Sequence, residues 1–137
     1  MTTQEVANRY CELAAQNKWE QILDELCGPG LVNKEPEHVS ARGIPVITNG
    51  LEAVKAKGNA NRQMIEAIHS QHCSEAMVAG NFFTVVLSRD ITFKEKPRVN
   101  LEEIAIFETK EGKIIAEQVF LLRDPVDGAN LNCPRSG

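Results

Sequence analysis

The stretch "LEEIAIFETKEGKIIAEQVF", residues 101–120, holds two apolar runs separated by a short polar turn. Gly112 stands where a tight turn between antiparallel strands needs a positive φ, so the segment predicts a β-hairpin. Each of the two strands nevertheless carries a glutamate in its middle. The direction in which these two carboxylates point therefore determines what the hairpin could do.

Alternate residues of a strand face opposite sides of its sheet. Glu103 shares a face with Ala105, but both faces of that strand are mixed, so alternation leaves its direction open. An inward Glu103 would have a pKa raised by desolvation and could act as an acid or base, whereas an outward one would be a solvated charge. Glu117 shares a face with Val119, and we expect it to form an ion pair, with Arg89 or across a dimer interface.

The chain before the hairpin predicts three helices and two more strands. The helices begin at a capping box over Thr2–Glu5, at Trp19, and after Gly50, with the third fraying near residues 58–61. Residues 31–50 indicate extended pieces and turns. From about Met64 onward the hydrophobic period changes toward two, which predicts strands near 65–78 and 82–93, with a turn at Gly80-Asn81. The expected fold class is α+β, in which three N-terminal helices cover one face of a bent antiparallel sheet.

Length and charge limit the function classes. A chain of 137 residues is long enough for one domain with a single core. The net charge of −4 and the lack of a basic cluster argue against nucleic acid or an anionic membrane as partners. No run reaches the length of about 18 apolar residues that a membrane span needs, and the N terminus lacks an apolar signal segment, so we expect a cytoplasmic protein.

The cysteines do not indicate a metal site or a disulfide framework. Cys11, Cys27, Cys73 and Cys133 lack CxxC spacing, and no histidine pair stands at ligand spacing. We expect reduced thiols, no metal and no cofactor.

Three segments carry a resemblance to a known family. "SEAMVAGNFF" (74–83), "LEEIAIFETKEGKII" and "AEQVF" resemble strands of SnoaL-like proteins of the nuclear transport factor two-like superfamily. The resemblance implies a cone-shaped α+β domain over residues 1–122, with a cavity at its open end. It also implies a homodimer formed through the outer face of the sheet. Residues 123–137, rich in proline, glycine and asparagine, are expected to form a C-terminal arm.

A more local resemblance implies candidate catalytic residues. "NRYCEL" (8–13) is similar to the first-helix segment of ketosteroid isomerases that holds their catalytic tyrosine, which places Tyr10 at that position. "KEP" (34–36) resembles the segment of their general base, which implies that role for Glu35. Glu103 falls at the place of the protonated aspartic acid of their oxyanion hole. The residues alone favour a different explanation, in which Tyr10 is a core side chain and Glu35 is an exposed loop residue.

The resulting pocket would bind a small, apolar, carbonyl-containing molecule. Its expected ligand-binding residues are Trp19, Arg89, Phe107 and Glu117. One hypothesis is a cofactor-independent isomerase or cyclase that uses Tyr10 as a hydrogen-bond donor. The alternative is a non-catalytic dimeric binding or scaffold protein whose cone is small or filled.

Overall fold

The structure is a computed structural model that describes residues 1–121, apart from the Arg42 side chain; the predicted arm at 123–137 lies outside these residues. The described chain forms three α-helices, a short 3-10 helix and seven strands. In chain order they are α1 Thr3–Ala15, α2 Trp19–Leu26, β1 Cys27–Lys34, the 3-10 helix Glu37–Arg42, β2 Ile47–Asn49, α3 Leu51–Gln63, β3 Ile65–Cys73, β4 Met77–Ala79, β5 Phe82–Phe93, β6 Val99–Lys110 and β7 Lys113–Leu121.

All seven strands belong to one sheet with the order β2-β1-β7-β6-β5-β3, and β4 pairs with β5 beside β3. Every neighbouring pair is antiparallel except β1 with β7. Register shifts in β1, β3 and β7 mark irregularities of the bulge type, which bend strands. The predicted α+β class, with three helices on a curved, mostly antiparallel sheet, is confirmed.

The hairpin predicted from residues 101–120 is present. Strands β6 and β7 pair antiparallel, and the two turn residues Glu111 and Gly112 both have positive φ, at 52° and 77°. This is the geometry that a two-residue hairpin turn requires. The strand predicted at 82–93 is also confirmed, as is the turn at Gly80, whose φ is 59°.

Three details of the prediction were wrong. The interval 31–50 contains extended pieces, as predicted, but these form part of β1 and all of β2, and β1 pairs in parallel with β7 although only antiparallel strands were expected. Helix α3 continues through residues 58–61 to Gln63, because its packing against the sheet overrides the low helix propensity of Gly58. The strand predicted at 65–78 ends at Cys73, and the Ser74 hydroxyl replaces a ladder partner by accepting from the Val86 N–H at 2.8 Å.

Helix α1 begins at the predicted capping box. The Thr2 hydroxyl accepts from the Glu5 N–H, and the Glu5 carboxylate accepts from the Thr2 N–H at 2.8 Å. This start positions an apolar stripe against the sheet, with Val6, Tyr10 and Leu13 almost completely buried. None of the helices in residues 1–121 is long and apolar enough to cross a membrane.

Aromatic rings fill the centre of the domain between α1 and the sheet. Phe83 and Phe107 on neighbouring strands stack with ring centroids 4.7 Å apart. Tyr10 from α1 lies 4.7 Å from the Phe107 ring and 5.8 Å from Phe83. Trp19 at the start of α2 extends the cluster, 6.4 Å from Tyr10. The hydrophobic core therefore occupies the middle of the cone, and polar groups collect around it.

Candidate functional site

Both carboxylates of the hairpin face the helices. Phe107 pairs with Glu117 and Glu103 pairs with Leu121, and directly paired residues of antiparallel strands point to the same side of the sheet. Phe107 is 1% exposed within the core, which identifies its face as the inner one. Glu103 lies four residues from Phe107 on the same face. The structure thus places both glutamates inside, including Glu103, for which strand alternation left the direction open.

Glu117 is bound by a polar network from β1 and α3. Asn33 Nδ2 donates to Glu117 Oε1 at 2.7 Å, and Asn33 is 3% exposed. On the other side of the amide, Lys57 Nζ donates to Asn33 Oδ1 and lies 3.6 Å from Glu35 Oε1. The lysine can only donate, so it orients the amide with its NH₂ group towards Glu117. A partly buried cation is thereby linked to a partly buried carboxyl group through the buried Asn33 side chain.

The surroundings of Glu117 and Glu103 favour their neutral forms. Burial raises the pKa of Glu117 to about 7; the Asn33 hydrogen bond opposes this rise, and the charges of Glu35 and Glu103 add to it. Burial also raises the pKa of Glu103, against the lowering effect of Arg89. Both side chains keep some accessible surface although they lie on the inner face, as expected for groups on the wall of a recess. Glu117 can therefore exchange a proton near neutral pH.

The ion pair expected for Glu117 is not formed. Its carboxylate accepts from Asn33 instead of Arg89, and among the described side chains of residues 1–121 no salt bridge joins it to a cation. Its position on the inner face also removes it from the outer surface, where a pair across a dimer interface would have to form. The reason is the parallel strand β1, absent from the prediction, which places Asn33 directly beside Glu117.

Glu35 lies immediately after β1 and is half-buried, so the exposed-loop interpretation is wrong. The backbone N–H of Glu35 donates to the Val46 carbonyl at 2.7 Å, which holds the chain at the rim of the recess. Its carboxylate lies next to Lys57 and raises the pKa values of Glu103 and Glu117. Glu35 thus belongs to the same charge cluster as the two hairpin glutamates.

Tyr10 is both a core residue and a neighbour of these charges. Its side chain is 4% exposed and packs on the aromatic rings of the sheet. Burial, followed by the charges of Glu117 and Glu103, raises the pKa of Tyr10 well above its usual value. The hydroxyl group therefore stays protonated and can act as a hydrogen-bond donor.

A cleft of about 380 Å³ opens at the end of the domain where α2 begins and α3 ends. Its lining residues are Asn17, Trp19, Arg62, Ile65, Glu66, Ala67, Ile68 and Arg89. Arg89 points inward as part of β5, and a narrower crevice without room for a water molecule joins it to Leu87, the strand partner of Glu103. Two guanidinium groups and one carboxylate give the cleft a net positive charge. Among the described residues, neither Arg62 nor Arg89 forms a salt bridge within 4 Å.

Phe107, expected among the ligand-binding residues, is a core residue. Its ring is 1% exposed and is covered by Phe83 on one side and Tyr10 on another. A ligand could reach it only by displacing packed aromatic rings. Trp19 and Arg89, by contrast, both line the cleft.

Sequence reasoning missed Asn33, Lys57 and Arg62. A signal existed for the first, because Leu31, Asn33 and Glu35 alternate on one side of an extended segment. A signal also existed for Lys57, because it lies three residues after the inward Val54 and therefore on the same face of α3. Within residues 1–121, no group of three or more His, Cys, Asp or Glu residues has the arrangement of a metal site.

Comparisons with known proteins agree with this fold. Similar solved structures include a protein from Mesorhizobium loti, provisionally classed as a SnoaL-like polyketide cyclase, with 24% identity and a TM-score of 0.80 over 88% of this chain and 99% of the other. An NTF2-like protein of unknown function from Burkholderia pseudomallei has 16% identity and a TM-score of 0.74, covering 93% and 95%. TerC, co-crystallised with polyporic acid, has 16% identity and a TM-score of 0.72, covering 92% and 94%.

All three identities are below 25%, so these likenesses establish a shared fold and no shared reaction. A comparison with curated proteins finds no match. The family profile described as SnoaL-like domain matches residues 1–121, which is the whole described fold. The chain therefore belongs to the SnoaL-like domain family.

Proposed function

We propose that this protein binds a small carbonyl compound bearing an acidic group and moves a proton on it without a cofactor. The observation that carries the proposal is Glu117, a carboxyl group on the inner face that is bound to the buried Asn33 and has a pKa of about 7. A group that titrates near neutral pH can take a proton from a substrate and return it. The reaction class is that of isomerases and cyclases, which remove a proton next to a carbonyl group.

The charge balance around Glu117 supports this role. Three carboxyl groups, those of Glu35, Glu103 and Glu117, share the interior with the cations Lys57 and Arg89. If all five groups were charged, one negative charge would remain in excess in a partly dry space, which is costly. Retaining one proton removes that excess. The retained proton is the one that a substrate could exchange.

The other polar groups receive roles from their protonation states. Tyr10 stays protonated, so it can donate a hydrogen bond to a developing enolate oxygen, while burial raises the pKa of Glu103 and so increases the share of its neutral form. Glu35 is paired with Lys57, so it acts in this proposal as the partner that holds the lysine against Asn33. Glu117 takes the place of Glu35 as the general base.

The cleft supports an acidic substrate. Arg62 and Arg89 supply guanidinium groups that match a carboxylate, and the Trp19 ring provides a flat apolar wall. TerC, a protein of the same fold, was crystallised with polyporic acid, an acid by name. In this proposal a planar ligand binds with its acidic group at the mouth, and the narrow crevice beside Leu87 must widen for its carbonyl group to reach Glu103 and Glu117.

The test compares 4-acetylbenzoate with acetophenone, which differ only by the carboxylate. Exchange of the acetyl protons in D₂O is followed by NMR in the presence of the full chain. We expect faster exchange for 4-acetylbenzoate, an increase with pH through about 7 as Glu117 ionises, and loss of the preference for the anion in Arg89→Met. Glu117→Gln should reduce exchange at least ~100-fold.

The matched control is Glu102→Gln, because Glu102 is an exposed carboxylate on the outer face of β6. A direct readout that needs no substrate is the carboxyl carbon chemical shift of Glu117, followed by NMR from pH 4 to 9. A midpoint at the ordinary value of 4.5 would remove the basis of the proposal. Equal exchange in the wild type and in Glu117→Gln would reject Glu117 as the base.

A second candidate function is ligand binding without chemistry. It is favoured by the aromatic cluster of Tyr10, Phe83 and Phe107, which fills the middle of the cone and leaves the open space at its mouth. In this case 4-acetylbenzoate would bind and protect the cleft residues, and its acetyl protons would exchange no faster than in buffer.

We also propose a homodimer through the outer face of the sheet. Val86, Ile104 and Phe120 lie side by side across β5, β6 and β7, and each is at least 39% exposed. Together with Ile106, Phe82 and Met77 they form an apolar patch larger than single scattered residues would produce. A second copy of the chain would cover this patch with an identical one.

A further inference from the structure

Two cysteines from distant parts of the chain meet beside the aromatic cluster. Cys11 on α1 and Cys73 at the end of β3 have their sulfur atoms 3.8 Å apart. The Ser74 carbonyl oxygen lies 3.5 Å from each sulfur and can accept from either thiol. Both residues keep part of their surface accessible to solvent. Neither residue has a part in the proton chemistry proposed above.

The distance between the sulfurs is short enough for a bond to form by side-chain rotation and a small shift. A disulfide has an S–S length of about 2.05 Å, so the sulfurs must approach by roughly 1.8 Å. The two residues are 62 positions apart in sequence, and only the packing of α1 on the sheet edge brings them together. Such a pair is therefore a property of the folded state.

The two sulfurs also differ in reactivity. Cys73 donates its S–H to Cys11, and this hydrogen bond lowers the pKa of Cys11 to about 7 although burial opposes the shift. The same contact raises the pKa of Cys73. At neutral pH, Cys11 is a partial thiolate beside a protonated neighbour. Cysteines that sense oxidants combine these properties: a low pKa, accessibility and a second thiol in reach.

We propose that Cys11 and Cys73 form a reversible dithiol–disulfide pair that reacts with peroxides. The Cys11 thiolate attacks one oxygen of hydrogen peroxide, the O–O bond breaks, and the products are Cys11 sulfenic acid and water after one protonation. The Cys73 sulfur then attacks the sulfenic sulfur, the S–O bond breaks, and a second water leaves as the disulfide forms. Two thiols are oxidised by two electrons, and one peroxide is reduced to two waters.

The bond has a structural consequence. Cys11 follows Tyr10 directly on α1, and Cys73 lines the crevice next to Arg89. Oxidation therefore ties the helix that carries Tyr10 to the edge strand, closing a loop of 62 residues. Because a cross-link restricts mainly the unfolded chain, it should raise the melting temperature by roughly 5–10 °C.

The experiment treats the reduced full-length chain with a slight excess of hydrogen peroxide at pH 7.5. Remaining thiols are alkylated, and the protein is digested without reductant for mass spectrometry. We expect one linked peptide pair containing Cys11 and Cys73, the loss of two hydrogens, and full reversal by dithiothreitol. The melting temperature should rise on oxidation and return on reduction.

Variants make the result specific. Cys27→Ser is the matched control, because Cys27 is buried and its pKa is raised to about 12, so it should change neither the linkage nor the shift. In Cys73→Ser, Cys11 should instead stop at sulfenic or sulfinic acid, without the melting-temperature rise. A linkage that uses Cys27 or Cys133, or sulfinic acid at Cys11 in the wild type without a disulfide, would overturn the proposal. So would the absence of any reaction.

Discussion

The two faces of the β6–β7 hairpin depart from the polarity that a one-sided sheet usually shows. The inner face carries Glu103 and Glu117 beside the core, whereas the outer face leaves Ile104 46% and Phe120 47% exposed. A sheet covered on one side normally puts apolar residues inside and polar ones outside. The difference teaches that the glutamates belong to a built interior cluster, and that the outer surface is suited to being covered.

The largest expected effect is on the free energy of unfolding, and it comes from replacing Glu117 with a side chain that stays neutral at every pH. Since the pKa of Glu117 is raised from 4.5 to about 7, the folded state holds a proton that the unfolded chain loses between these pH values. Stability is therefore highest below about pH 4.5 as far as Glu117 is concerned, and it falls as pH rises through 7. Ionisation of Glu117 therefore lowers the free energy of unfolding by up to about 3 kcal/mol over this pH range.

Glu117→Gln removes this cost and can still accept from Asn33, so at pH 8 it should be more stable than the wild type by up to about 3 kcal/mol, with a flatter pH dependence. Urea unfolding at pH 5, 6.5 and 8 measures the difference. A variant that is equally destabilised at all three values would contradict the assignment of a raised pKa to Glu117.

The outer face is tested by Ile104→Lys, which places a charge at the centre of the apolar row. We expect the proposed dimer to dissociate, with a loss of about 2 kcal/mol or more in association free energy, because central interface residues carry most of the binding energy. Light scattering coupled to gel filtration gives the mass, and circular dichroism checks that the monomer is folded. A wild-type chain that is monomeric at high micromolar concentration would reject this interface.

Lys57→Met should have a smaller effect on stability, and it tests whether Lys57 influences the titration of Glu117. Loss of the ammonium group removes a charge that lowers the pKa of Glu117 and the donor that orients Asn33, so the Glu117 titration should move to higher pH. The stability change should be on the order of 1 kcal/mol. The titration is followed at the Glu117 carboxyl carbon, and a shift to lower pH would show that the lysine does not act through this network.

The smallest effect is expected from Glu102→Gln, one residue from Glu103 but on the outer face. Glu102 is exposed, so its neutralisation should change the free energy of unfolding by no more than ~0.5 kcal/mol at any pH. Urea unfolding at the same three pH values provides the comparison. A pH-dependent gain in stability like that of Glu117→Gln would show that the effect does not depend on which face of the sheet carries the glutamate.

Much of the fold could be predicted from local patterns. Three elements depend only on residues that are close in sequence: the capping box at Thr2, the strand Phe82–Phe93 and the turn at Gly112. Each was found where it was expected. The strand β1 was missed because Gly28, Pro29 and Gly30 interrupt its alternation, and because its partner β7 follows about 80 residues later. Parallel pairing over such a distance leaves no local signal.

The candidate site was predicted only in part, for the same reason. Glu103 and Arg89 were identified as candidates by their position in apolar strands, and both lie on the inner face. Asn33 binds Glu117 from β1, and Lys57 on α3 binds the oxygen of the Asn33 amide. Spacing could have indicated that each side chain points inward, but their meeting with Glu117 depends on the packing of elements that are far apart in sequence.

The sequence by itself determined the helices, the strand hairpins and the class of fold, because hydrophobic period, capping and turn residues act over a few positions. Only the tertiary structure decided which face of the hairpin is dry, that Asn33 instead of Arg89 meets Glu117, and that Cys11 meets Cys73. Those outcomes follow from desolvation and from contacts between distant segments, and both of these arise only when the chain is packed.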